Sequence, residues 1–323
     1  MACAVTLKAP SRLHFGLVDL GGVTRRAFGG AGCFLQHPST LIRFSPLQTN
    51  LCIGEGTPDH FRADLDVALA ALQTRFPDAI GEVEILETPD SHTGLGSKTS
   101  AVLGCLKSVV LGNALCVDDD ELKRMSRRGG ASGVGVHGFF EGGMIVDCGH
   151  SERPHGPWLP SGAYDIEALP VKAVRLPMPP SWKVHLMAPR GSIVSGETER
   201  AFFEEATPLA REEVLQTLAA IWHGIVPAVL GRDLELFRES LRDLSRCGLK
   251  EKELQAQPNS RHLLTRIDDI GKLAAGMSSM GPLVYAVSES SSSAAEPLEE
   301  LCKELDAIYI GTTTFANSGY TVT

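Results

Sequence analysis

No two cysteines in this sequence stand in a C-x-x-C arrangement, and none clusters with histidine at zinc-ligand spacing. The eight thiols are scattered, at positions 3, 33, 52, 105, 116, 148, 247 and 302, and several lie in apolar runs such as AVLGCLKSVVL around Cys105. They read as reduced, small hydrophobes. Positive charge is also scarce. A net charge of −9 argues against general binding to nucleic acid or anionic membranes, which both need a basic face. A phosphate-rich ligand then has to be held by a local pocket. No run approaches the ~18–20 apolar residues of a membrane span, and the N-terminal MACAVTLKAP has no apolar leader core. A cytoplasmic protein is expected. Internal repeats and low-complexity segments are absent as well.

What is present is ample for a core: 323 residues, 43% hydrophobic and 21% charged. Period-2 segments at Val5–Lys8, Leu41–Ser45 and Glu82–Thr88 predict strands with one buried face. Helical spacing covers Arg62–Phe76, stopping before Pro77, and Ser97–Gly112, which is apolar nearly all round. Asp118–Arg128 opens on an acidic cap and closes on two arginines. Met144–Cys148, Ala173–Leu176, Trp182–Ala188, Leu283–Ser288 and Ala307–Thr314 are further strands. Helices are expected over about 208–230, 232–246, 260–275 and 295–305, and the serine run Ser288–Ser293 reads as an exposed turn. The Pro/Gly-rich stretch Arg153–Pro180 reads as the join between two halves, 1–165 and 166–323. Irregular alternation of strands and helices favours an α+β, two-layer architecture.

The sharpest local feature is the run from His92 to Ala101, HTGLGSKTSA. Gly94 and Gly96 allow a tight backbone turn, and Ser97, Thr99 and Ser100 bring hydroxyls beside the free N–H groups of a helix start. Lys98 adds a point charge suited to pyrophosphate. The spacing fits neither a Walker loop nor a dinucleotide fingerprint. Its bland reading is a helix cap.

Three segments, Ala9–Leu20, Thr93–Ala101 and Gly276–Val287, resemble in order the signatures of the GHMP-kinase superfamily. Those kinases carry S-G-x-D, with the aspartate catalytic. Here Ser132-Gly133-Val134 is followed by Gly135, so the carboxylate that would handle a hydroxyl proton is missing. The details resemble one non-kinase branch, the β-ribofuranosylaminobenzene 5′-phosphate synthase family. They are Arg12-Leu13-His14-Phe15-Gly16-Leu17-Val18-Asp19, Gly94-Leu95-Gly96-Ser97, Arg128 through Gly135 (RGGASGVG), Gly142 through His150 (GGMIVDCGH), and Ser278-Ser279-Met280-Gly281-Pro282. Five motifs in order span nearly the whole chain. Departures from the benzoate-type pattern are Lys98, Ala131 and Met280; they shift the expected acceptor toward a heteroaromatic acid and a C-nucleoside product.

The resemblance implies a GHMP-like fold, with a ribosomal-protein-S5-like N-terminal half and a ferredoxin-like C-terminal half. It implies coupling of phosphoribosyl pyrophosphate to an aromatic or heteroaromatic acid, with loss of carbon dioxide and pyrophosphate, Mg2+ as cofactor, and a homodimer. The phosphoribosyl pyrophosphate would be held by Gly94, Leu95, Gly96, Ser97, Lys98, Thr99, Ser100, Arg128, Gly129, Gly130, Ser132, Gly133 and Gly135. Arg12, His14 and Asp147 are the candidate catalytic residues, Arg25, Arg26, Ser278 and Ser279 the candidate acceptor contacts, and Asp19 the candidate metal ligand. Structural readings stand beside these. An ion pair with Asp19 accounts for Arg12, a hydrogen-bonded core position accounts for His14, and Asp147 and His150 can simply end a strand; His137 and His185 read as structural. An ATP-dependent kinase or a non-catalytic phosphosugar sensor are the alternative functions.

Overall fold

The computed structural model describes residues 2–153, 156–160, 163–164, 168–190, 194 and 196–323. The expected boundary between residues 165 and 166 lies outside them. Among the described residues the strands form two sheets. The larger has seven strands, ordered β11-β1-β2-β4-β3 with β5 on β2 and β6 on β5. Here β1 is Val5–Asp19, β2 Phe28–Asn50, β3 Cys52–Ile53, β4 Ile80–Glu87, β5 Met144–Asp147, β6 Lys172–Leu176 and β11 Thr321–Val322. The sheet thus takes strands from both sides of the expected boundary. The smaller sheet runs β10 (Ala307–Thr314), β7 (Trp182–Pro189), β9 (Val284–Glu289), β8 (Ala274–Met277).

β1 and β2 are the frame. They pair antiparallel from Val5↔Phe44 to Asp19↔Phe28, with bulges at Pro10/Ser11 and His14/Gly16. The long β2 is shared, its first part bonding to β5 and its second to β4. The sequence signals only Leu41–Ser45 of β2, because FGGAGC looks like a turn. In the fold those glycines permit close approach: a Cβ on Gly32 would lie 2.3 Å from the Leu13 carbonyl oxygen.

Helix α1 (Asp59–Arg75) buries Phe61, Leu65, Ala68, Leu69 and Leu72 against α2 (Ser97–Gly112), whose apolar surface is covered on almost every side. α3 is Asp119–Met125, capped by the Asp118 carboxylate accepting from Glu121 N–H. α4 (Val134–Glu141) has no expected counterpart, since a short helix with two internal glycines gives almost no period to detect. In the second half come α5 (Glu197–Ala206), α6 (Arg211–Ala219), a π-helical turn Ala220–Ile225 and α7 (Val226–Gly231). They are followed by α8 (Leu234–Leu244), α9 (Gly248–Ala256), α10 (Pro258–Ile270) and α11 (Ala295–Glu304). The expected helix 260–275 is too long. It stops at Gly271, φ 79°, and the chain turns into β8. The run Arg211–Gly231 is long and apolar enough to cross a membrane by length and composition, contrary to the expectation from sequence. Its Val214, Ile221, Ile225, Ala228 and Val229 pack into the core that also holds Trp182, Phe237 and Tyr285. Ser290–Ser293 form the exposed turn after β9.

Candidate active site

A cleft of about 610 Å³ opens where β1, the N-terminus of α2, the loop before α4 and the turn between β8 and β9 meet. Gly94 (φ 96°) and Gly96 (φ 69°) carry the chain into α2 through conformations that only glycine adopts freely. Gly94 has a second reason: a Cβ there would lie 2.3 Å from the Ser278 carbonyl oxygen. The loop is pinned by Arg12 N–H donating to the Leu95 carbonyl (2.9 Å) and by Ser278 Oγ donating to the Gly94 carbonyl (2.7 Å). The first turn of α2 contains no acidic side chain, so its free N–H groups and dipole face the cleft without a built-in anion.

The second glycine loop, Gly129–Gly135, closes against the first. Arg128 Nε donates to Thr99 Oγ1 at 3.3 Å, and a Cβ placed on Gly135 would sit 3.2 Å from Thr99 Cγ2. A carboxylate beneath the wall holds this loop. Asp147 accepts from Ser132 Oγ (2.9 Å) and Gly149 N–H (2.9 Å), and the N–H groups of Gly133 and Val134 also favour its charge. Burial outweighs those bonds and raises Asp147 to about 6.

His14 lies in the same layer, with Nε2 3.1 Å from Ser132 Oγ. The single Ser132 hydroxyl proton is directed to Asp147, so its oxygen accepts from His14 Nε2–H and from Val134 N–H. The network is saturated and holds Ser132 in place; it does not activate it as a nucleophile. His14 is held well below its ordinary pKa by burial, then by the charges of Arg12 and Lys250, so it is neutral at pH 7.

Two guanidiniums dominate the cleft electrostatically. Arg12 is lowered to about 10 by burial and by Arg128, while burial lowers Arg128 against the pull of Asp64 and Glu199. Arg12 Nε is sealed from solvent without a hydrogen-bond partner, and neither arginine forms an ion pair among the described residues. A Cβ on Gly135 would stand 3.4 Å from Arg12 Nη1. An acidic side chain at that position would therefore reach the guanidinium; glycine leaves it open to a ligand. Two adjacent cations with no ion-pair partner among the described residues, beside a bare helix N-terminus, make a site for a polyanion.

The candidate residues fall into three groups. Arg12, Gly94, Gly96, Ser97, Lys98, Thr99, Arg128, Gly129, Ser132, Gly135 and Ser279 line the cleft together. Lys98 does so from the rim, ion-paired with Asp64 at 3.0 Å. Leu95, Ser100, Gly130, Gly133 and Ser278 stand behind the wall and shape it; Ser278 Oγ accepts His14 N–H at 2.9 Å. His14 and Asp147 belong with these, buried and outside the cleft lining.

Arg25, Arg26 and Asp19 do not join the cleft. Arg26 donates to the carbonyls of Cys148 and Gly149, both at 2.7 Å, and Arg25 is exposed. The Asp19 carboxylate, the candidate metal ligand, accepts N–H groups of Gly21 (3.0 Å), Val23 (3.1 Å) and Thr24 (2.6 Å) outside the cleft lining. Burial pushes Asp19 up, yet those amide bonds outweigh it and hold the group below its ordinary value. Nor does Asp19 pair with Arg12. His137 and His185 are structural, bonded to the Pro170 carbonyl and to Tyr309 and Ser288.

Glu199, Arg200, Val194 and Pro160 also line the cleft without having stood out as site residues in the sequence, and Met280, the departure that bears on the acceptor, lines it with them. Glu199 and Arg200 reach the cleft only because α5 folds over it, and an isolated Glu-Arg on a polar helix carries no local signal. Pro160 is brought in by a strap whose Trp158 and Tyr164 rings rest on Phe28, at 5.0 and 5.1 Å.

Two sheets of this order, with a glycine loop feeding a buried helix, define the GHMP-kinase fold. Homoserine kinase from Cytophaga hutchinsonii superposes with TM-score 0.70 over 100% of this chain and 98% of its own, at 14% identity. Phosphomevalonate kinase from Streptococcus pneumoniae gives 0.70 over 97% and 99%, at 13% identity. No protein-family model matches the chain. Sequence similarity is narrower than the fold. The chain is 32% identical over 298 residues, 90% of each chain, to beta-ribofuranosylphenol 5′-phosphate synthase from Methanothermobacter thermautotrophicus. It is 32% identical over 290 residues, again 90% of each, to the protein of that name from Archaeoglobus fulgidus. This chain belongs to the beta-ribofuranosylphenol 5′-phosphate synthase family.

Proposed function

We propose that the protein is a C-glycoside-forming phosphoribosyltransferase that joins phosphoribosyl pyrophosphate to an aromatic or heteroaromatic carboxylic acid, releasing carbon dioxide and pyrophosphate. The names of its relatives support a ribosyl 5′-phosphate product carried on an aromatic ring. The departures at Lys98, Ala131 and Met280 favour a heteroaromatic acceptor and a C-nucleoside product over a phenol. One observation carries the reading: Arg12 and Arg128 stand side by side, neither ion-paired with a carboxylate among the described residues, and Gly135 takes the place of the acid that would neutralise one of them.

The chemistry needs that arrangement. As the C1–O bond breaks, its electron pair leaves with pyrophosphate, and negative charge grows where Arg12, Arg128 and the α2 N–H groups are already oriented. The ring carbon bearing the carboxylate supplies the electrons of the new C–C bond. Loss of carbon dioxide returns a pair to the ring and restores aromaticity. No proton is removed from that carbon, so no protein base is required there, in keeping with glycine at position 135.

The residues fit a magnesium ion that arrives on its substrate. Among the described residues no three His, Cys, Asp or Glu converge on a metal site, and Glu199 is the one carboxylate of the cleft lining. Pyrophosphate oxygens, water and Glu199 would hold the ion. It would supply neutralisation of the departing charge.

The test is incubation with Mg2+, phosphoribosyl pyrophosphate and a panel of benzoate and pyrazole acids, with mass spectrometry of the products. Pyrophosphate release and a ribosylated, decarboxylated product are expected. Silence across the panel, or phosphorylation of a small molecule from ATP, would overturn the proposal.

A further inference from the structure

Outside the cleft, α9 carries a charged pair to which the chemistry above gives no task. Lys250 and Glu253 lie one turn apart, 3% and 4% exposed, and ion-pair with each other. Removing two charges from water is costly, and a well-packed apolar pair is often as stable or more so. The pair therefore calls for a reason beyond stability. Lys250 Nζ also donates to the carbonyls of Met277 (3.2 Å) and Ser279 (2.9 Å). The neighbouring side chains repeat the pattern: Gln257 Nε2 donates to the Met280 carbonyl (3.0 Å) and Ser260 Oγ to the Pro282 carbonyl (2.8 Å). α9 and the start of α10 thus grip, by its carbonyls, the turn that puts Ser279, Met280 and Gly281 into the cleft wall.

The grip fixes where the amides of this turn point. Ser279 is held at φ 53°, a left-handed conformation that a serine keeps only when its surroundings impose it. The Ser279–Met280 peptide is trans, so its C=O and N–H point in opposite directions. With the carbonyl aimed at Lys250 beneath the turn, the Met280 N–H is aimed away from α9. Its neighbours are taken, Ser279 N–H by the His14 carbonyl (3.0 Å) and Gly281 N–H by the Ser278 carbonyl (2.9 Å). Met280 N–H meets no acceptor among the described residues. An ammonium on the carbonyl end polarises the peptide and strengthens the donor at the other end.

We propose that Lys250 is a positioning residue that aims the Met280 amide into the cleft, where it donates a hydrogen bond to an anionic oxygen of bound substrate. The oxygen belongs either to the diphosphate of the phosphoribosyl donor or to the carboxylate of the aromatic acid. The inference rests on the proposed function and adds a donor from the turn between β8 and β9 to those of the two arginines and the α2 N-terminus.

Protein labelled with 15N-methionine gives at most seven amide signals, and the Met280 signal is the one lost in Met280→Leu. The full chain is titrated in one arm with magnesium pyrophosphate and in the other with 4-hydroxybenzoate, with calorimetry in parallel. A downfield shift of the Met280 proton in one arm, saturating at the calorimetric affinity, is expected and names the source of the oxygen. The double variant Lys250→Met/Glu253→Leu removes both charges together and keeps the volume. It is expected to melt near the wild type, to lose the shift, and to raise KM for that substrate about tenfold or more, the worth of one hydrogen bond to a charged group, with a smaller change in kcat. A Met280 signal that stays still while calorimetry reports binding, or a double variant with wild-type KM, overturns the assignment. Failure of both probes to bind overturns the phosphoribosyl reading with it.

Discussion

Replacing Gly135 with aspartate restores, in one step, the acid whose absence defines the cleft. The new Cβ would lie 3.2 Å from Thr99 Cγ2 and 3.4 Å from Arg12 Nη1, contacts that a shift of a few tenths of an ångström relieves. The carboxylate then falls on the Arg12 guanidinium and occupies the anion's place. A hydrogen bond to a charged group contributes about 1.5–3 kcal/mol. At about 1.4 kcal/mol per factor of ten, pyrophosphate affinity falls roughly ten- to 150-fold. Gly135→Ala is the control for volume. It adds the same Cβ without the charge, and alanine in a helix gains about 0.5–1 kcal/mol over glycine, which offsets the crowding. Calorimetry with magnesium pyrophosphate reads the affinity and thermal melting reads the fold. Equal losses in Gly135→Ala and Gly135→Asp would refute the argument, because crowding would then explain both. So would unchanged binding in a folded Gly135→Asp protein.

Arg12→Met removes a cation that has no ion-pair partner among the described residues and lies beside another, so the melting temperature should hold or rise while pyrophosphate affinity drops at least tenfold, about 1.4 kcal/mol. A lower melting temperature with unchanged affinity would reassign Arg12 to the scaffold. Asp147 titrates near 6 in the folded chain against an ordinary 3.8, so the folded state holds the proton more tightly than the unfolded one. Its contribution is full below pH 4 and is lost as pH rises to about 6, up to about 3 kcal/mol, and is flat above. Denaturant titrations of wild type and Asp147→Asn between pH 4 and 7 should show that difference in slope; parallel curves would contradict it. Ser278→Ala takes one partner from both His14 N–H and the Gly94 carbonyl, and should cost about 1–3 kcal/mol of stability together with a weaker pyrophosphate site. Wild-type stability in denaturant would show the latch to be dispensable.

The parts of the site legible in the sequence are those whose backbone had to be special. Gly94 and Gly96 before an apolar helix announce a helix start stripped of side chains, and α2 begins and ends where its period says. The gap at Gly135 is readable for the same reason: a missing group is a fact of sequence. Residue type alone could not tell which polar groups face solvent, ligand or backbone. Asp19 and Asp147 sit in motif positions and Arg26 close after one, yet nearby carbonyls and amides consume them. Glu199 and Arg200, on a helix with no motif, reach the cleft because α5 folds over it.

The sequence alone determined the alternation that opens β1 at Val5–Lys8, the α2 start, the absent acid at Gly135 and the order of motifs that marks the family. These depend on local backbone sterics and on residue identity, which a linear string carries. Tertiary structure alone decided that Arg12 and Arg128 would become neighbours with no ion-pair partner among the described residues, that Ser132 would be saturated between His14 and Asp147, and that Lys250 would reach the carbonyl of Ser279. Those are contacts between residues far apart in the chain, and their energies exist only once burial has removed water from between them.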